Sequence, residues 1–237
     1  MRLITWILNI LFPRCCLGCK KRLPTSDSPA LCTSCSPALL LQRSFACPIC
    51  RGRIPEPIAG GLPALRTLCH PRSEYIIRWL GWYSDPLLRT LIRGLKFQHT
   101  VGIARVFGLS LGASLRAAHL PIDLVVPIPL PRSRYWSRGY NQAALIAQVT
   151  AQEIGVVWSP NVLTRARATA AQTKQTNWHD RRLNIQDAFV AGEAVRGKTI
   201  LLIDDVWTSG ATLTAAAGAL KKAGAGRILA GVIARAH

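Results

Sequence analysis

The sequence predicts an α/β fold: a parallel sheet flanked by helices, with a small cysteine-rich module in front of it. Three observations carry this reading. All 8 cysteines, Cys15, Cys16, Cys19, Cys32, Cys35, Cys47, Cys50 and Cys69, fall in the first third of the chain. Beyond about residue 70, Cys, Pro and Gly without periodicity give way to alternating strand-like and helix-like segments. Late in the chain, four apolar residues (Ile200, Leu201, Leu202 and Ile203) lead into two acids, a small-residue turn and an Ala-rich stretch, as a buried strand leads into a helix. The expected division is residues 1–72 for the cysteine module and 73–237 for the α/β domain.

The elements follow in order. Residues 74–84, rich in Ile, Trp and Tyr, read as a strand. Asp85-Pro86 reads as a helix start, with Asp at the N-cap and Pro at the first helical position. Leu88, Leu91, Ile92 and Leu95 then share one helical face. A second helix is expected over 102–118, a short buried strand over 122–126 and a helix over 138–153. Residues 164–182 are polar and arginine-rich, with Trp178 as their one large apolar side chain, and read as a loop. A buried strand over 199–203, a helix over 212–223 and a strand over 227–234 complete the pattern.

Hydrophobic residues make up 49% of the 237, enough for a substantial core. Charged residues are 17%, yet the formal net charge is +19. So strong an imbalance points to an anionic partner: phosphates, nucleic acid or acidic lipid. The apolar run over residues 3–12 is about half a membrane-spanning length, is stopped by Pro13 and lacks a small-residue cleavage site. It reads as a short helix packed on the domain. The expectation is a cytoplasmic protein with no transmembrane segment, its cysteines reduced and holding metal.

The segment over 201–213, LLIDDVWTSGATL, carries the most specific chemistry. A buried strand delivers Asp204 and Asp205 to the carboxyl edge of the sheet, where open α/β sheets bind ligands. Thr208, Ser209, Gly210, Ala211 and Thr212 then present backbone N–H groups and hydroxyls at a helix N-terminus, which together cradle an anion. Two adjacent carboxylates suit a ribose diol and attract Mg²⁺. The segment resembles the motif of type I phosphoribosyltransferases that binds 5-phosphoribosyl-1-pyrophosphate (PRPP). That resemblance implies that Asp204 and Asp205 hold the ribose hydroxyls and that residues 208–212 hold the 5′-phosphate. Just upstream, residues 192–199 (GEAVRGKT) fit a P-loop expression by chance. A working P-loop follows a strand and opens a helix, whereas Lys198-Thr199 lead directly into a strand.

Two arginine segments complete the expected site. In VPIPLPRSRYWSRGYNQ (126–142), Pro127, Pro129 and Pro131 fix an extended turn. Arg132, Arg134 and Arg138 then cluster before a helix starting near Gly139, where guanidinium forks suit pyrophosphate. Tyr135, Trp136 and Tyr140 interleave with them in a pattern that also suits stacking on bases. In the second segment, Arg165, Arg167, Thr169, Gln172, Arg181 and Asn184 are spaced as in a lid that closes over a phosphosugar. His179-Asp180 are neighbours in sequence, a poor arrangement for an acid–base pair.

Cys16-x-x-Cys19 and Cys32-x-x-Cys35 are two knuckles suited to one tetrahedral, structural Zn²⁺. A third pair, Cys47-x-x-Cys50, requires further ligands. Cys69, with His70 or Cys15, would complete a second site. An empty site and an interleaved pairing of Cys16/Cys19 with Cys47/Cys50 are the alternatives.

The CxxC pairs, DPLLRTLIRGLKF, VPIPLPRSRYWSRGYNQ, RARATAAQTKQT with RRLNIQDAF, and LLIDDVWTSGATL occur together and in this order. The series resembles the ComF family, competence-associated phosphoribosyltransferase-like proteins of bacteria, over nearly the whole chain. That family often carries a fourth CxxC, making a double zinc ribbon; here the matching place is Arg66-Thr67-Leu68-Cys69, with its first cysteine missing. The resemblance implies a role in uptake of transforming single-stranded DNA on the cytoplasmic side, beside a helicase-like partner in some lineages. Two functional readings follow. One is an enzyme of pentosyl transfer that uses PRPP with Mg²⁺. The other is a non-catalytic adaptor that senses PRPP or binds single-stranded DNA.

Overall fold

In a computed structural model of the chain, the structure describes residues 15–24, 30–36, 44–54, 70, 73–166 and 188–236. The strands are β1 (Ser44–Ala46), β2 (Arg53–Ile54), β3 (Ile76–Trp82), β4 (Leu124–Pro127), β5 (Val157–Trp158), β6 (Leu163–Arg165), β7 (Phe189–Ala191), β8 (Thr199–Trp207) and β9 (Arg227–Arg235). The helices are α1 (Pro86–Phe97), α2 (Gly102–Ala117), α3 (Arg132–Arg138), α4 (Gln142–Ile154) and α5 (Ala211–Lys222). Among the described residues, one seven-stranded sheet runs β2-β1-β3-β9-β8-β4-β5, and β6 and β7 form a separate antiparallel pair.

From β3 to β5 every neighbouring pair is parallel. The central strands are apolar on both faces because helices cover both. On one face α1, α2 and α4 bury Leu91, Ile103, Phe107 and Ile146 against Val125, Leu201 and Leu229. On the other, α5 buries Leu213, Ala216 and Leu220 against Leu202, Ile228 and Ala230, with Leu163 from β6 and Phe189 from β7.

The helix starts obey their local chemistry. Asp85 caps α1, its carboxylate accepting from the Leu88 N–H at 2.8 Å, with Pro86 opening the helix. The helix expected over 138–153 starts later, at Gln142, and the arginine cluster read as lying before it forms a helix of its own. α3 spans Arg132–Arg138 and ends at Gly139, whose φ is 74°. Asn141 then caps α4, accepting from the Ala143 N–H at 3.0 Å. A left-handed residue between two right-handed helices forces the chain to turn, so the arginines lie in a helix of their own.

β8 also runs four residues beyond the expected end at Ile203, reaching Trp207. Its neighbour β9 keeps pairing with it, Asp204 opposite Val232, Val206 opposite Ala234 and Trp207 opposite Arg235. β4 stops earlier, with Pro127 opposite Ile203. The acids are therefore held in a strand supported on one side only, and the other side opens into a crevice.

The cysteine-rich segment joins this sheet. β1 pairs antiparallel with β3, placing Phe45 opposite Arg78. Arg78 is fully buried. Its Nε donates to Ser114 Oγ of α2 at 2.8 Å, and its guanidinium lies 4.6 Å from the Phe45 ring centre.

Candidate functional site

The chain leaves β4 through α3 and α4 towards β5, and leaves β8 through α5 towards β9 on the other side. The two connections cover opposite faces, so the carboxyl ends of β4 and β8 form a topological switch point, the crevice in which parallel α/β sheets hold ligands. Asp204 and Asp205 line it from β8. The loop after β4 enters beside them, with the Ile128 N–H donating to Ile203 O at 2.9 Å. Asn141 ties down the far end of that loop, its Nδ2 donating to Ile128 O at 2.9 Å.

The acid pair is internally linked, the Asp205 N–H donating to Asp204 Oδ1 at 2.8 Å. Burial first, and then the charge of Asp205, push the Asp204 carboxyl up to about 7. The Asp205 amide, Lys96 and Arg134 oppose that shift without cancelling it. Lys96 is a site residue that the sequence reading missed. It sits in the last turn of α1, and its Nζ lies 2.7 Å from Asp205 Oδ1. The Tyr140 hydroxyl, donating to Leu95 O, fastens the end of α1 to the loop after β4. A lysine in the last turn of an amphipathic helix reads as an ordinary C-terminal charge, so nothing local marked it.

After Trp207 the chain turns through exposed Thr208 and Ser209 to buried Gly210 and then Ala211 and Thr212 of α5. Gly210 has φ 83°, and a Cβ there would stand 3.0 Å from Trp207 Nε1. Both facts require glycine. Gly210 is also the N-cap of α5 and has no side chain to cap it; the Ala211 N–H donates to Ser209 Oγ at 3.4 Å. The first-turn amides lie at the crevice end of α5, where a helix N-terminus receives an anion. Beneath the turn, the Tyr75 hydroxyl and Thr214 Oγ1 are 3.0 Å apart, and burial pushes Tyr75 up to about 12.

The arginines divide. Arg134 reaches the field of the acid pair and of Arg165, whose pKa is lowered by burial and then by Arg134. Arg138 instead turns back onto its own helices. Its Nη1 donates to Gln142 Oε1 at 2.9 Å, and its guanidinium lies 5.3 Å from the Phe97 ring centre. Arg132 is exposed. Arg165 ends β6, over the Phe189 ring of β7 at 4.9 Å, so the arginine-rich segment leaves and rejoins the fold through this pair. Arg167, Thr169, Gln172, His179, Asp180, Arg181 and Asn184 lie outside the described residues, as do Cys69 and the apolar run over 3–12. Lys198 is exposed and precedes β8, so the GEAVRGKT stretch opens a strand.

Two sulfur-rich clusters lie in the cysteine segment. The ligand atoms of Cys16, Cys19, Cys32 and Cys35 are all within 4.8 Å of one another, as are those of Cys47, Cys50 and His70. Consecutive knuckles therefore come together, and the interleaved pairing does not form. Cys19 and Cys32 Sγ are 3.7 Å apart. That is too long for a disulfide and close to the edge of a tetrahedron with bonds of about 2.3 Å, as in a zinc–thiolate centre. Backbone N–H groups point at the sulfurs, Cys32 to Cys16 at 3.3 Å and Gly52 to Cys50 at 3.4 Å, which favours thiolate. The donor set fits a zinc-type metal at the first cluster. At the second, Cys47 Sγ and His70 Nδ1 are 3.6 Å apart and supply a matching partial set.

A parallel α/β sheet with an acid pair and an amide-lined turn at its switch point defines a phosphoribosyltransferase-like domain. The comparisons agree. A family model described as the phosphoribosyl transferase domain matches residues 141–237. The DNA utilization protein YhgH of Salmonella typhi is 31% identical over 221 residues, covering 91% of this chain and 94% of that protein. Competence protein F of Haemophilus influenzae is 33% identical, covering 66% and 71%. Competence protein ComFC of Bacillus subtilis is 29% identical, covering 82% and 79%. This chain belongs to the ComF family of type I phosphoribosyltransferase-like proteins.

Proposed function

We propose that this chain binds PRPP together with Mg²⁺ at the crevice between β4 and β8 and acts in DNA uptake. The observation that carries the reading is the Asp204–Asp205 pair leading directly into the Thr208–Thr212 turn at the switch point. Asp204 and Asp205 accept from the ribose hydroxyls, and the amides and hydroxyls of residues 208–212 hold the 5′-phosphate. Arg134 and Lys96 face the pyrophosphate side; Arg132, Arg138, Arg165, Arg167 and Arg181 belong to the surrounding loop and lid. Asp204 and Asp205 would attract the Mg²⁺, which would supply charge neutralisation at the diphosphate. In the catalytic form of this reading, the bond from C1′ to pyrophosphate breaks. An acceptor nitrogen bonds to C1′ and releases its proton to solvent. The protein contributes position and charge stabilisation. The cysteine module, residues 1–72, is held by structural zinc and the domain over 73–237 binds the ligand, in a cytoplasmic setting that keeps thiols reduced.

Calorimetric titration of PRPP with Mg²⁺ tests this. The expected result is micromolar affinity, about −8 kcal/mol, lost in an Asp204→Asn/Asp205→Asn variant that keeps its zinc. No heat from folded, zinc-loaded wild type rejects the assignment.

A second reading rests on α3, none of whose residues is buried. Trp136 is 82% exposed and Tyr135 49%, between Arg132, Arg134 and Arg138. Exposed aromatics among arginines suit a single-stranded nucleic acid. This adaptor role is compatible with PRPP binding at the neighbouring crevice, and with a helicase-like partner.

A further inference from the structure

The knuckle at Cys47 and Cys50 carries a side chain that reaches the phosphate turn. Arg51 follows Cys50 directly. Its N–H donates to Cys47 O at 2.9 Å, and the Cys47 N–H donates to Gly52 O at 3.0 Å, closing the turn from both ends. Arg51 has φ 60°, the left-handed conformation that Lys20 also adopts (φ 63°) directly after Cys19 in the first knuckle, so the knuckle turn itself sets its backbone. From this anchored backbone its Nη2 donates to Thr208 O at 2.8 Å, and its guanidinium lies 5.6 Å from the ring centre of buried Trp207. The contact joins residues 157 apart in sequence.

The geometry gives that contact a consequence. The Thr208 carbonyl and the Ser209 N–H belong to one planar trans peptide, so they point in opposite directions. A cationic donor pinning the carbonyl fixes the direction of the N–H. It also polarises the peptide and makes that N–H a better donor. Ser209 supplies one of the amides of the turn that leads into α5. The aromatic contact with Trp207 adds a second hold on the same guanidinium, just before the turn.

We propose that Arg51 is a positioning residue for the phosphate turn, and that the Cys47/Cys50/His70 cluster is the fixed end of this strut. Metal at that cluster would then tune anion affinity at a site to which it contributes no ligand. The inference builds on the phosphosugar reading of the turn, but the coupling itself is measurable without any ligand.

The experiment is amide hydrogen exchange on the zinc-loaded full chain, comparing wild type with Arg51→Ala, Arg51→Lys and Cys50→Ser. Loss of a charge-assisted hydrogen bond should loosen the turn and accelerate exchange at the first backbone-paired amide beyond it, the Thr214 N–H that donates to Gly210 O at 2.9 Å, by about tenfold. Peptides from α2, β4 and α4 should stay unchanged. Arg51→Lys should restore part of the protection, because a lysine can donate to Thr208 O but lacks the planar fork. Cys50→Ser should reproduce the alanine result by loosening the fixed end. PRPP–Mg²⁺ titration of the same variants should show about tenfold weaker binding, with the metal at the first cluster retained. Unchanged exchange at the Thr214 amide in Arg51→Ala overturns the proposal, as does acceleration spread evenly over the whole domain. Unchanged exchange in Cys50→Ser alone removes the cluster as the fixed end. If wild type binds no PRPP, the ligand reading fails while the exchange data still decide the coupling.

Discussion

Asp204 carries two penalties at once, burial and the charge of Asp205, and their sum brings its carboxyl to about 7. The folded value lies above the unfolded one, so the folded state binds the proton more tightly. The stability this contributes is complete below about pH 4 and is lost as pH rises through 7. Asp204→Asn removes the cost of ionisation. Its melting temperature should exceed that of wild type by roughly 3–5 °C at pH 8, and the gap should close near pH 4. A gap independent of pH would mean that the carboxylate is not the source. For ligand binding the sign reverses. An ionised pair accepts from hydroxyls and attracts a cation, so PRPP–Mg²⁺ affinity should rise between pH 6 and 8. The acid pair and residues 208–212 were legible in the sequence because strand, acids, turn and helix are consecutive. Lys96 and Arg51 were not. Each reaches the site by tertiary packing, from α1 and from a cysteine turn, and no local pattern marks either.

Among the elements, α2 and α4 meet through glycine. A Cβ on Gly108 would fall 2.5 Å from Val149 Cβ, and one on Gly112 would fall 2.6 Å from Glu153 Cβ. The Thr150 hydroxyl donates to Gly108 O at 3.3 Å across the same contact. Gly108→Ala should therefore separate two packed helices and destabilise by about 1–3 kcal/mol, the usual cost of overpacking. Gly218 in α5 offers the control. Nothing lies within 4 Å of a Cβ there, so Gly218→Ala should stabilise by about 0.5–1 kcal/mol through helix propensity. Urea denaturation of the two variants should shift the midpoint in opposite directions; shifts of the same sign would contradict the close helix approach. Element recognition followed the strength of the local signal. α1 was readable from Asp85-Pro86 and its apolar face. β5, β6 and β7 have 2, 3 and 3 residues, too few for a period to register. β8 was read short because two carboxylates look like a strand end, whereas pairing with β9 carries the strand past them.

At the scale of the whole molecule the dominant quantity is charge. Thirty Lys and Arg against 11 Asp and Glu leave +19 on a chain of 237 residues. A phosphosugar site uses only a few of these charges, and α3, which carries the most exposed aromatic ring among the described residues, borders that site through Arg134. A single strand lying over α3 would release counterions from several phosphates. With about four phosphates neutralised, the logarithm of affinity should fall with the logarithm of salt with a slope near −3. PRPP, held in the crevice by oriented amides and hydroxyls as well as by charge, should show a shallower slope. Trp136→Ala separates stacking from charge. It should cost about 1–3 kcal/mol in oligothymidine binding while leaving the salt slope and the PRPP–Mg²⁺ affinity in place. Fluorescence anisotropy of a labelled oligothymidine, titrated at several salt concentrations beside the PRPP calorimetry, measures both slopes. A steep slope with a Trp136 effect places nucleic acid on α3 and gives the net charge a use. A slope flatter than about −1 with no effect of Trp136→Ala removes nucleic acid from α3, and the arginines there then act on the small-molecule site alone.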